Sequence, residues 1–209
     1  FSLKDILNQL DSLLAKFIEI RFTTFSEKNL EELKDILKNS THSVLRSVRL
    51  YFPYISKNLS KEIIEVTDFP IIDCIVFYGY VSNKSIEKDT REIFFITQTL
   101  KEISNSNIDR KFLINNIDHF YECQKHNPYY NKKVAINSLG EIKNCIKNKA
   151  VFGNVKTNFI SEVVSNKNFQ ELWYATHDQI IGVQNSELRY NYIITNDLEK
   201  LSDGTFKIV

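Results

Sequence analysis

The chain has 209 residues, 43% of them hydrophobic, enough to bury a sizeable core as one large domain or as one domain with an appendage. Lys and Arg number 27 against 26 Asp and Glu, so no global field gathers nucleic acid or an anionic membrane surface, and neither is expected as a partner. There is no apolar run of membrane-spanning length and no signal-peptide pattern, and the three cysteines, Cys74, Cys123 and Cys145, are too widely spaced for a disulfide framework, so a cytoplasmic protein is expected. The chain holds no methionine and begins at Phe1, from which a fragment of a longer protein is expected.

Leu3, Ile6, Leu7, Leu10, Leu13, Leu14 and Phe17 recur at intervals of three and four and predict a helix after a Ser2 cap. A strand, Phe17 to Phe22, follows. Ser26 then caps a second helix whose inward side carries Leu30, Leu33, Ile36 and Leu37. Val44 to Phe52 predicts the next strand, closed by Pro53, and Leu59 to Val66 a short helix that Pro70 ends. Ile71 to Tyr78 is an almost continuous apolar strand of the kind found inside parallel sheets. Strands beginning near 18, 46 and 71 with a helix in each gap predict an α/β fold with a parallel sheet and right-handed crossovers. A fourth strand, Glu92 to Thr97, comes after a polar stretch, Ser82 to Arg91, read as a loop. The spacing fits an open sheet and part of a barrel equally.

From Ser104 the composition turns loop-forming, which divides the chain into residues 1–103, 104–196 and a polar tail, 197–209. Phe112 to His126 is mixed and rich in aromatic residues. Val134 and Ile136 on one side, and Ile142 with Asn144 on the other, flank Ser138, Leu139 and Gly140 and predict a tight antiparallel hairpin. Phe159 to Val164 and Phe169 to Ile180 read as two helices, the second with Leu172, Trp173 and His177 near one face. Gly140 and Gly153 are expected at turns that need positive φ.

The hairpin from Lys133 to Cys145, then Phe152 to Val155, then Glu187 to Tyr190, form an ordered series that resembles the SPASM domain, the iron–sulfur-binding extension of many radical SAM peptide-modifying enzymes. Most closely the series is similar to the SPASM-containing maturase of grasp-with-spasm peptide systems. The resemblance implies a partial radical SAM-like βα barrel, or an open parallel sheet, followed by a small α+β SPASM-like domain with its β-hairpin. It also implies a precursor peptide and an ATP-grasp ligase as partners in making a ribosomally synthesised, post-translationally modified peptide. The cluster ligands are largely missing. No C-x3-C-x2-C occurs, Val183 to Ser186 stands where the family carries C-x2-C, Asn191 to Asn196 stands where later cysteines follow, and only Cys145 occupies a family ligand position. No cofactor and no catalytic residue are therefore assigned, and a non-catalytic peptide-binding maturation factor is expected. The alternative is a C-terminal fragment of a radical SAM/SPASM enzyme whose catalytic cysteines lie outside this chain.

Cys123, His126 and Cys145 offer sulfur, nitrogen and sulfur donors of a kind zinc accepts, against the plainer reading of two buried thiols and a turn histidine, which is favoured. His42, His119 and His177 have no Ser or Cys at a telling spacing, and no nucleotide-cradling or zincin motif occurs. Tyr54 and Tyr80 follow parallel strands at the edge where open α/β sheets and barrels bind ligands, and with Arg189 they are the candidate peptide-binding residues. For Arg189 the competing expectation is a structural ion pair with Glu187.

Overall fold

The computed structural model describes residues 2–39, 44–105 and 113–209, so His42 lies outside the described residues. The contacts divide the chain into two compact units, Ser2–Ser104 and Asn105–Val209.

The first unit is built on a mostly parallel sheet. Helix α1 (Leu3–Ser12) starts on a Ser2 cap whose hydroxyl accepts the Asp5 amide at 3.1 Å. It stops short of the expected Phe17, because Leu14 turns at φ +60° and leads into β1 (Phe17–Arg21). Then come α2 (Glu27–Asn39), β2 (Ser47–Pro53), α3 (Lys57–Ile64) with a 3-10 turn over Glu65–Asp68, and β3 (Ile72–Tyr78). The stretch read as a loop is instead a strand, β4 (Lys84–Lys88), joined to β5 (Arg91–Ile96) by a two-residue turn in which Asp89 takes φ +57°. Asp tolerates the left-handed region without the glycine that usually marks such a turn. Helix α4 (Leu100–Asn105) closes the unit.

The strand order is β1-β2-β3-β5-β4, with the first three pairings parallel and β4 antiparallel at the edge. Consecutive parallel strands wound with one hand keep their crossover helices on one side. One core follows from this: Leu30, Leu33 and Leu37 of α2 and Leu59 and Ile63 of α3 pack on Val48, Leu50, Phe52, Ile75, Phe77, Ile93 and Phe95. Phe52, Phe77 and Phe95 sit side by side across β2, β3 and β5, with ring centroids 6.1 and 4.9 Å apart.

The second unit is a set of short elements. Helix α5 (Ile117–Lys125), capped by the Asn116 side chain, precedes a three-stranded antiparallel sheet of β6 (Ala135–Ile136), β7 (Glu141–Lys143) and β8 (Gly153–Asn154). The expected hairpin is present. Its turn is held by Asn137 Oδ1, which accepts the Leu139 and Glu141 amides at 3.0 Å each, and by Gly140 at φ +84°. Gly153 serves differently from the expectation: its φ is not positive, but a Cβ there would meet Val163 Cγ2 at 2.9 Å.

Helix α6 (Ile160–Val164) is as expected, whereas the second expected helix is broken into α7 (Lys167–Gln170) and 3-10 turns over Glu171–Tyr174 and His177–Gln179. The buried Asn127 causes the break. Its backbone amide takes the Trp173 carbonyl at 2.8 Å and its Nδ2 takes the Ala175 carbonyl at 3.2 Å, which removes both from a helical ladder. The last residues, expected as a polar tail, form an antiparallel pair, β9 (Leu198–Lys200) with β10 (Phe206–Ile208). Leu198 and Phe206 are buried there in the core of this unit, so alternation, not net polarity, decides the fate of the segment.

Phe206→Ala therefore costs about 3–5 kcal/mol of the stability of this unit, as for a buried aromatic cut to a methyl. Urea unfolding followed by Trp173 fluorescence measures it; a cost near zero would mean that the segment is a solvated tail.

Candidate functional site

Alternation along the parallel strands gives the sheet a second face that α2 and α3 do not cover. The register aligns Glu19, Arg49, Cys74 and Glu92 in one row across β1, β2, β3 and β5, and Arg21, Tyr51, Val76 and Phe94 in the next. Tyr51, Cys74 and Val76 form a small separate core, joined by Tyr78, Phe94, Ile96 and by Ile103 from α4. Beside it lies an open cavity of about 360 Å³, lined by Arg49, Tyr51, Cys74, Val76, Glu92, Phe94, Ile96, Gln98 and Ile103.

The charges of this face are unequally satisfied. Arg21 pairs with Glu19, stacks over the Tyr51 ring at 5.3 Å and donates to Ser104 Oγ at 2.7 Å. Arg49 lies against Tyr51 and Cys74 and forms no ion pair among the described residues, and the same is true of Glu92. Burial pushes the Cys74 thiol up to about 11, against the pull of Arg49, so it is a neutral floor and not a nucleophile at neutral pH. The sequence carries a signal for this face: Ser47, Arg49 and Tyr51 alternate with Val48, Leu50 and Phe52.

Tyr54 and Tyr80 do come together, but as packing. Their rings meet edge to face at 4.6 Å and both lean on Phe95, at 6.2 and 5.1 Å, with Lys84 Nζ 4.7 Å from the Tyr80 centroid. They close the helix-covered core and do not line the cavity. Arg189 belongs to the other unit, on a 3-10 turn over Arg189–Asn191, and is paired with Asp178 and not with Glu187. Its Nε donates to Asp178 Oδ1 at 2.6 Å, and Tyr190 Oη donates to Asp178 Oδ2 at 2.6 Å. The hydrogen bond from Tyr190, then that from Arg189, hold the Asp178 carboxyl below its usual range. A guanidinium so engaged is a clasp for the turn more than a free receptor for a carboxylate.

The metal alternative does not assemble. Helix α5 ends at Lys125 and His126 is extended, so Cys123 meets His119 one turn back, at 3.4 Å, while the His126 ring lies 5.3 Å from that of Tyr174. Cys145 Sγ lies 3.2 Å from Tyr129 Oη. Among the described residues no group of three or more His, Cys, Asp or Glu side chains is placed to hold a metal ion. All three thiols are buried, and burial, with Glu122 adding, pushes Cys123 up to about 12.

His177 is a feature that sequence reasoning passed over as unpartnered. It is fully buried, neither ring nitrogen has a hydrogen-bond partner within normal geometry, and burial, with His119 adding, lowers its pKa to about 4. Among the described residues no helix is long and apolar enough to cross a membrane.

Two outcomes follow. Unfolded His177 takes up a proton near its ordinary pKa of 6.5 and the folded residue does so only near 4, so its contribution is complete above 6.5 and is lost as pH falls toward 4, up to about 3 kcal/mol. Urea titrations across that window record the slope, and His177→Leu flattens it; an unchanged slope would disprove the assignment. Ellman's reagent reaches none of the three thiols quickly in the native chain and all three after denaturation.

The sequence matches no protein-family model, and no curated protein and no solved structure is significantly similar to the chain.

Proposed function

We propose that the chain is a non-catalytic, peptide-binding maturation factor, related to the SPASM-containing maturases it resembles, that presents a precursor peptide to an ATP-grasp ligase. The observation that carries this reading is the packing at the resembled cluster-ligand positions. Cys145 and Val183 are buried in one apolar core with Tyr130, Ile180, Ile194, Leu198 and Phe206, and Tyr192 packs against it. Thr195 is buried as well, at 3% exposure. Ser186 is only half-buried and lies outside this core, but the filling of the other resembled positions by side chains supports a scaffold kept after its cluster chemistry was given up.

The first unit supports a binding role in a compatible way. Parallel strands in consecutive order with helices on one side are compatible with a partial βα barrel or an open parallel sheet. Tyr54 and Tyr80 pack on the helix-covered core, and this reading therefore also draws on the open cavity of the Arg49–Tyr51–Cys74 face and on β1, which forms one edge of the sheet and offers its backbone to an added strand. The other edge, β4, is charged at both ends by Lys84 and Lys88, a composition that discourages strand addition.

A disordered peptide loses ordering entropy when it docks, so calorimetry with the precursor peptide is expected to give a dissociation constant of about 1 μM, or about −8 kcal/mol. Failure of both the peptide and the ATP-grasp ligase to bind below about 1 mM would end this reading. Anaerobic reconstitution is expected to leave the chain without stoichiometric iron; a bound cluster would favour the alternative of a working radical SAM/SPASM enzyme.

A further inference from the structure

The uncovered sheet face presents two opposite charges at the ends of one row. Arg49 and Glu92 lie on either side of Cys74 in register, and all three line the cavity. Adjacent strands are about 4.8 Å apart, which sets the two backbones about 10 Å apart. Of the neighbouring charges, Arg21 is engaged by Glu19 and Ser104, while Asp73 accepts the Ser47 hydroxyl at 2.6 Å and also bears on Arg49. Glu87, opposite Glu92 on β4, strengthens the negative end. One step along the strands the surface turns apolar, through Val76, Phe94, Ile96 and Ile103.

We infer that this cavity binds a small zwitterion with an apolar side chain, of amino-acid or dipeptide size, with its carboxylate on Arg49 and its ammonium on Glu92. The geometry matches the charge pattern. In an α-amino acid the ammonium nitrogen and carboxylate carbon are about 2.5 Å apart. A charge-assisted hydrogen bond of about 2.8 Å at each end brings the span to about 8 Å, which the Arg and Glu side chains close from their separated backbones. The ligand's side chain then runs along the strands onto Val76, Phe94 and Ile96. A carboxylate alone meets repulsion from Glu92 and Glu87, and an amine alone meets it from Arg49, so the site selects for both charges together. The cavity, about 360 Å³, is within the size range of small-molecule sites, about 300–1,000 Å³. Cys74, between the charged pair, is a neutral thiol and adds no third charge. The inference stands apart from the peptide-maturation reading, since a free amino acid satisfies every contact it names.

Calorimetry on the intact chain tests it with L-leucine, L-phenylalanine and the dipeptide Leu-Phe, against N-acetyl-leucine and leucine amide, each of which lacks one charge. At least one zwitterion is expected to bind at about 1 mM or tighter, and the two single-charge analogues at least about tenfold more weakly. The amino-acid and dipeptide arms tell which size the site takes. Arg49→Gln and Glu92→Gln are each expected to weaken binding about tenfold, while Arg49→Lys, which keeps the charge but loses the planar fork, is expected to weaken it less. Both side chains are exposed, so circular dichroism and melting temperature stay as in the parent chain. The inference is overturned if no zwitterion binds up to about 10 mM, if the single-charge analogues bind equally well, or if Arg49→Gln and Glu92→Gln both leave binding unchanged. The precursor peptide titrated against the parent chain separates the two readings: peptide binding without any zwitterion binding ends this inference alone.

Discussion

The first unit is governed by a burial requirement. A parallel sheet buries apolar side chains on both faces, yet consecutive strands joined with one hand place all their crossover helices on one side. Here α2 and α3 take that side with a core of Leu, Ile, Val and Phe, and the other side is left to the short helix α4 and its Ile103. The strands resolve the conflict within their own sequences. At Ser47, Arg49 and Tyr51 the second face is polar or amphipathic, so it tolerates water at the N-terminal end of the row, while Val76, Phe94 and Ile96 keep the remainder apolar. A cavity between those two regions, charged on one side and greasy on the other, is the direct outcome.

The second unit, with few long elements, depends on a different device. Asn127 is completely buried, and its side chain and backbone serve the Tyr129 and Tyr130 amides and the Trp173 and Ala175 carbonyls. Orphaned backbone groups are costly inside a core, and one amide side chain satisfies several of them at once. Tyr130 is then fixed by its hydroxyl, which donates to the Asn196 carbonyl at 2.8 Å, and the apolar cluster assembles around its ring. A short-element domain achieves in this way the order that helices and long strands give elsewhere.

How much of this was legible follows from the same physics. Strand β3 was readable because a buried strand is a long apolar run between turn residues, as at Ile71 to Tyr78, whereas β1 holds no buried residue and shows only Ile18 and Ile20 alternating with Glu19 and Arg21. Strand β4 was not, because an edge strand needs no apolar face and its turn uses Asp89 in place of glycine. The helix expected over Phe169 to Ile180 failed because Asn127, more than forty residues away in the chain, removes two of its carbonyls, and no local window carries that information. The packing of Tyr54 and Tyr80 was not legible for a related reason: both residues follow strand ends, and which way a terminal aromatic ring turns depends on Phe95 of β5.

The exchange of cluster ligands for apolar side chains has an energetic logic under the proposed relationship. An unfilled space of about 100 Å³ in a core costs about 2 kcal/mol, a large share of the stability of a small domain. A scaffold that stops carrying a cluster must therefore either collapse or refill. Refilling leaves a recognisable trace: positions that once needed thiolates become buried and apolar while the turns around them persist. Under the proposed relationship Val183, at 6% exposure in the same apolar core as Cys145, also at 6%, has that form. Cys145 Sγ lies 3.2 Å from Tyr129 Oη, a contact that needs only one small polarizable atom in the core. Under the proposed relationship the second unit is kept for its shape, and Arg49 and Glu92, which form no ion pair among the described residues, stand on the uncovered sheet face of the first.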